Sequence, residues 1–150
     1  MSSTIVWKIK SFAELTAFEL HQILQARIDV FVVEQNCPYN EVDGDDPNAL
    51  HLWGELDQEI VAYCRIFKPG IKYKEASIGR VLTPLKFRKN KLGKRLMNFA
   101  IQIISSQFRT SEITISAQDY LIAFYTDLGF RSTAKSYLED NIPHTEMKKF

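Results

Sequence analysis

Five cations crowd the segment Arg88-Lys89-Asn90-Lys91-Leu92-Gly93-Lys94-Arg95-Leu96. It follows a strand-like run, Ala76 to Leu82, and opens a run of helical period. A helix N-terminus exposes unpaired backbone N–H groups and the positive end of the dipole, so it suits anions. Cations in that first turn oppose the dipole and are mildly destabilising. A strongly anionic ligand such as a pyrophosphate resolves the conflict. The plain alternative is a solvated basic helix face. Strand, loop, glycine and amphipathic helix in succession favour the ligand.

Simpler nucleotide and metal motifs fail on spacing. A triphosphate P-loop around Gly93-Lys94 needs glycine five positions earlier and Ser or Thr after the lysine. The chain has Arg88 and Arg95 there. A dinucleotide fingerprint needs three glycines, and this segment has Gly93 alone. Around Gly44, an EF-hand register puts Tyr39 first and Leu50 twelfth, and neither is a ligand. Cys37, Cys64, His21, His51 and His144 lack paired zinc spacing. No metal is expected.

The elements that must position these residues follow from periodicity. Ile5 to Ile9 alternate as a strand, in a stretch read as strand-like from Met1 with no apolar leader core. Leu20, Ile23, Leu24, Ile28 and Phe31 recur at helical spacing, and Asn36 to Ala49 is a loop. His51 to Leu56 and Ile60 to Phe67 form a hairpin across Asp57-Gln58. Lys68 to Lys74 is a turn-rich connection before the strand Ala76 to Leu82. Leu92, Leu96, Phe99, Ala100, Ile103 and Ile104 mark an amphipathic helix. A strand at Glu112 to Ala117 and a helix at Tyr120 to Leu128, stopped by Gly129, come next. Strands at Phe130 to Tyr137 and Thr145 to Lys149 close the chain. The expected class is α/β (α+β), one domain over residues 1–150 with a mixed sheet flanked by helices.

On these residues the chain resembles the GNAT-type N-acetyltransferases, and within them it is similar to the ElaA-like branch. Arg88 and Gly93 fill the first and last places of the superfamily's Arg/Gln-x-x-Gly-x-Gly/Ala word, and Lys91 stands at the middle glycine. Lys91 either restricts the loop to ordinary backbone angles or bears strain itself, and its side chain is a candidate phosphate contact. Three residues, where many relatives have two, separate Pro84 from Arg88. Branch words are Arg27 to Tyr39, Asp43-Gly44-Asp45-Asp46, Ile78-Gly79-Arg80-Val81, Phe124 to Phe130 and Ile142-Pro143-His144.

The resemblance implies an acetyl-coenzyme A cosubstrate and an amine acceptor. Cofactor contacts fall on Val81, Leu82 and Thr83, on Arg88, Lys89, Asn90, Lys91, Leu92, Gly93 and Lys94, and on Gln118. The fourth strand, near Val81-Leu82, would supply an oxyanion donor, and Tyr125 would protonate the leaving thiolate. The base is Glu34 or His144, left open between them. Glu34 is otherwise a partner of Arg27 or Arg80, and His144 otherwise caps a turn after Pro143. Arg27, Phe31 and Arg80 shape the acceptor pocket, with a buried ion pair as the alternative for each arginine. The acidic residues Glu41, Asp43, Asp45, Asp46 and Glu55 are read as solvated, with attraction of a cationic acceptor as the weaker alternative, and His51 as a satisfied strand residue.

A hydrophobic fraction of 45%, a charged fraction of 25% and a net charge of +1 describe a globular protein with no nucleic-acid partner and no membrane span. Two cysteines without framework spacing fit the cytoplasm. A monomer or homodimer is expected. Rival readings are an acyltransferase of the acyl-homoserine-lactone synthase type, or a non-catalytic acyl-coenzyme A sensor.

Overall fold

A computed structural model describes residues 4–150; the first three residues of the strand-like N-terminus lie outside them. The elements are β1 (Val6–Ser11), α1 (Ala17–Arg27), β2 (Leu50–Leu56), β3 (Glu59–Phe67), β4 (Ser77–Leu82), α2 (Leu92–Phe108), β5 (Ile113–Gln118), α3 (Ile122–Asp127), β6 (Arg131–Glu139) and β7 (Ile142–Lys149). Their order is the one expected from periodicity.

Two antiparallel sheets form, β1-β2-β3-β4 and β5-β7-β6. They meet where Ala76 and Ile113 make a parallel bridge, with Thr114 N–H donating to the Ala76 carbonyl at 2.9 Å. The join makes the assembly mixed. Beyond it β4 and β5 diverge, and that divergence opens the site.

Tight turns set the hairpins. Asp57 and Gln58 both take positive φ (51° and 66°), the mirror-image turn whose twist matches paired strands. Asp140 and Asn141 repeat it (51° and 62°) between β6 and β7. The closing strands therefore run further toward each other than the sequence indicates, and His144 lies inside β7, opposite Gln118 and Tyr137. It does not cap a turn.

Strand β3 is buried on both faces from Ile60 to Phe67, an apolar run broken only by Arg65. On one face Leu96, Met97, Ala100 and Ile104 of α2 pack against Val61, Cys64 and Ile66, continuous with Ile113, Ile115, Phe130 and Met147 of the second sheet. On the other, Ile23 and Val30 pack on Trp53, Ile60, Tyr63 and Leu82. The helix bearing Ile28 and Phe31 continues through Glu34 with wider winding. Gln35 N–H reaches Val30 O, and Cys37 N–H reaches Val32 O, five residues back. Glu34 thus ends this segment rather than lying beyond it.

Candidate active site

Between the diverging strands lies a cleft of about 740 Å³. Its floor is the β4 edge. Past Ala76, β4 has no strand partner on this side among the described residues, so its backbone groups face the cleft. Val81, Leu82 and Thr83 line it.

At one end α2 begins. Its N-cap is Lys91 in the left-handed region (φ 55°, ψ 24°), with no side-chain cap and no acidic residue in the first turn. Of the two readings of Lys91, the strained one holds. The lysine itself adopts the conformation a glycine would take, and Lys89 does so as well (φ 78°). Such a conformation costs about 1–2 kcal/mol for a residue with a Cβ. The N–H groups of the first turn are left for a ligand. Lys89, Lys91, Leu92, Gly93 and Lys94 line the cleft, and none of the three lysines has a carboxylate within 4.0 Å among the described residues. Gly93 needs no special φ, and a Cβ there would meet only Phe124, at 3.5 Å. Nothing in the fold demands glycine at this position.

Arg88 and Asn90 serve the loop itself. Arg88 lines the cleft, but its Nε donates to the Thr83 carbonyl (2.9 Å) and its two Nη groups to Glu34 (2.7 and 2.9 Å). Asn90 does not line the cleft; its Nδ2 folds back to the Phe87 carbonyl (3.2 Å) across the short turn Leu85–Phe87. Glu34 also lies off the cleft lining. Its expected partners, Arg27 and Arg80, are engaged elsewhere.

Tyr125 is 6% exposed, wedged edge-on between Phe124 and Phe130, and lines the cleft. Burial pushes its phenol well above the usual range, so it stays protonated and can donate. His144 lines the far end. Its Nδ1 sits 2.7 Å from the Ile142 carbonyl and must donate there. The neutral ring therefore carries its lone pair on Nε2, 3.3 Å from Glu139 Oε2, while Tyr137 stacks on the ring. Gln118 lines the cleft in a long amide pairing with Gln35 (3.4 and 3.5 Å).

Residues 19–150 match the Acetyltransferase (GNAT) domain family. The chain belongs to the GNAT acetyltransferase family. Protein ElaA of Escherichia coli (strain K12) is 37% identical over 147 residues, 97% of this chain and 96% of that protein; its crystal structure superposes with a TM-score of 0.91 over 98% of this chain and 100% of that one. A crystal structure of an acyl-CoA N-acyltransferase from Pseudomonas aeruginosa is 38% identical with a TM-score of 0.91, over 98% of this chain and 100% of that one. A CoA-dependent acyl-homoserine lactone synthase, BjaI, shares the fold alone, at 16% identity and a TM-score of 0.78 over 97% of this chain and 82% of that one. GNAT chemistry draws its acyl group from a coenzyme A thioester. The lysine-rich end of the cleft suits the phosphates of that molecule.

The GNAT cleft is braced by buried arginines. Arg27 is fully buried and off the cleft lining. It holds Glu41 through Nε (2.9 Å), the Glu41 carbonyl through Nη2 (2.9 Å) and Asp46 through Nη1 (2.6 Å). It anchors the loop that the sequence marked as solvated. Arg65 holds Asp43 and Asp46 from the other side, and His51 bonds Tyr63 and the Asp46 carbonyl. Glu41 and Asp46 are thus buried as the counter-charge of arginines, whereas Asp43 and Asp45 meet Arg65 from a partly exposed position. Glu55, by contrast, accepts from Trp53 Nε1. Arg80 does reach the cleft. It sits at a β-bulge where β4 spends three steps, Gly79 to Leu82, against two in β3, Arg65 to Tyr63. Its φ of 49° turns the side chain over the Phe31 ring, 4.8 Å away.

Gln35, Ser116, Tyr120, Phe124 and Glu139 also line the cleft, unforeseen from sequence. The Asp140-Asn141 turn dipeptide was the signal for Glu139, since it sets Tyr137 opposite His144. Among the described residues no three His, Cys, Asp or Glu side chains converge as a metal site requires. No helix among them is long and apolar enough to cross a membrane.

Proposed function

We propose that the protein transfers an acetyl group from acetyl-coenzyme A to an amine by direct attack. The supporting observation is the single cleft that joins an uncapped, lysine-flanked helix N-terminus to Tyr125 and His144. The pyrophosphate lies on the first turn of α2, and the thioester on the free edge of β4.

His144 Nε2 takes the ammonium proton, and Glu139 stabilises the imidazolium that results. The amine nitrogen bonds to the thioester carbon while a backbone N–H near Val81-Leu82 holds the oxyanion. The C–S bond then breaks and the thiolate takes the Tyr125 proton. A second proton from the nitrogen replaces it, so the products are amide, thiol and one proton. Glu34, tied to Arg88 and away from the cleft lining, is a loop brace rather than the base. Two free, buried cysteines and a coenzyme A donor fit the cytoplasm.

The cofactor assignment is tested with Gly93→Asp. The fold has room for a side chain there, so circular dichroism should be unchanged. A carboxylate beside the pyrophosphate should weaken coenzyme A binding at least about 100-fold, since charge-assisted contacts are worth roughly 1.5–3 kcal/mol each. Unchanged affinity by calorimetry would remove the site.

A further inference from the structure

We propose that the acceptor is a small amine that also carries a carboxylate, held by the guanidinium fork of Arg80. This rests on the acetyltransferase reading and names its substrate class.

Three arginines line the cleft and a fourth, Arg27, lies buried behind it, and they differ in what they leave free. Arg27 is bonded through Nε and both Nη groups. Arg65 spends both Nη groups on Asp43 and Asp46. Arg88 is bonded at all three nitrogens. Arg80 has one protein contact to a charge, Nε to Glu41 Oε2 at 2.9 Å, with the angle of an ion pair rather than an aligned hydrogen bond. That same oxygen already takes the Arg27 Nε at 2.9 Å. One carboxylate oxygen thus serves two guanidiniums. Neither Nη of Arg80 bonds to a protein atom among the described residues.

The backbone works to put Arg80 there. The bulge and the left-handed φ at a residue with a Cβ are unfavourable, and together they lay the guanidinium over Phe31. A planar fork of two free N–H groups is the partner of a planar carboxylate. Arg80 shares the cleft, and a small side chamber off it, with Glu139 and His144. The carboxylate of Glu139 faces the position where an amine gives up its proton to His144. One cationic and one anionic group in a shared chamber match the two charges of an amino acid. A polyamine would set a second cation against Arg80.

The test uses the whole enzyme, acetyl-coenzyme A and thiol release, with matched sets of amino acids, their carboxamides and their decarboxylated amines. The parent enzyme should favour the acids in kcat/KM by about 10- to 100-fold. Arg80→Gln should erase that preference, and Arg80→Lys should restore part of it. Circular dichroism and coenzyme A calorimetry verify folding, and the parent series stands without the variants. Amides and amines used as well as acids by the parent would overturn the inference and leave acetyl transfer intact. A preference for acids that survives Arg80→Gln would overturn the role of Arg80. If no amine of any set releases thiol although acetyl-coenzyme A binds, the acetyltransferase reading itself fails, and this inference with it.

Discussion

In the proposed reaction, Tyr125 and His144 divide proton transfer by their surroundings. Burial keeps the phenol of Tyr125 protonated, with its pKa raised, so it remains a donor throughout the working range and contributes no basic limb below about pH 10. Tyr125→Phe should lower the chemical step about 100-fold while coenzyme A affinity holds, measured by rapid-quench turnover beside calorimetry. Equal turnover would reduce Tyr125 to a packing ring between Phe124 and Phe130. His144 differs because its Nδ1 donates to a carbonyl while its Nε2 faces the Glu139 carboxylate. His144→Asn should flatten the acidic limb of the pH–rate profile and lower turnover by about 10²- to 10⁴-fold. Glu34→Gln should leave that limb in place. Its half-exposed pair with Arg88 is worth at most about 1 kcal/mol, so the loss should appear as coenzyme A affinity reduced by about fivefold or less. A flattened limb in Glu34→Gln and an unchanged one in His144→Asn would exchange the two roles.

At the scale of elements, the sequence placed every helix and strand of the site, because period and turn residues act locally. It missed features that only tertiary contacts decide. The wide winding from Ile28 to Glu34 keeps an apolar helical pattern, so periodicity could not distinguish it. Arg27 was legible as a motif residue, yet its anchoring role depends on Glu41 and Asp46 folding back 14 and 19 residues away. The bulge at Arg80 is announced only by Gly79, a lone glycine inside a strand run. At Lys91 the residue type argued for ordinary angles, and the loop overrode that preference. This override makes a prediction. Lys91→Gly relieves the strained φ but gives the unfolded chain about 0.4–1 kcal/mol more entropy to lose, so the melting temperature should move by only a few degrees. Coenzyme A affinity should fall and become less sensitive to salt, because one phosphate-facing cation is gone. Titrations at two ionic strengths check this. An unchanged salt dependence would mean that the Lys91 side chain points to solvent when the ligand is bound.

Across the whole molecule, the apolar layers and the ionic layer hold different things. Leu96, Met97 and Ile104 bind α2 to both sheets, so the sheets stay joined although the strands between them diverge. Arg27 and Arg65 instead bind the long Asn36 to Ala49 connection over the second face of β3. Asp43 of that connection lines the cleft, and Cys37, Tyr39, Asn40 and Glu41 line its side chamber, so under the proposed reaction its hold on the body bears on activity as well as stability. Asp43 shows which way pH will act. Burial alone would raise its carboxyl, but hydrogen bonds from Arg65 and from the Asp45 N–H outweigh it and hold the pKa well below 3.8. A group with a folded pKa below its unfolded one contributes fully above the unfolded value and loses that contribution as pH falls through the folded one. Urea melts should therefore show stability nearly level from pH 7 to about 5, then falling below about pH 4 as the unfolded chain takes up this proton. Asp43→Asn should be less stable at pH 7 and fall less steeply in acid, with the two curves drawing together as pH falls below the unfolded value. If the variant keeps the full acid slope, the proton is taken up elsewhere, and the Arg65–Asp43 pair is only a surface contact.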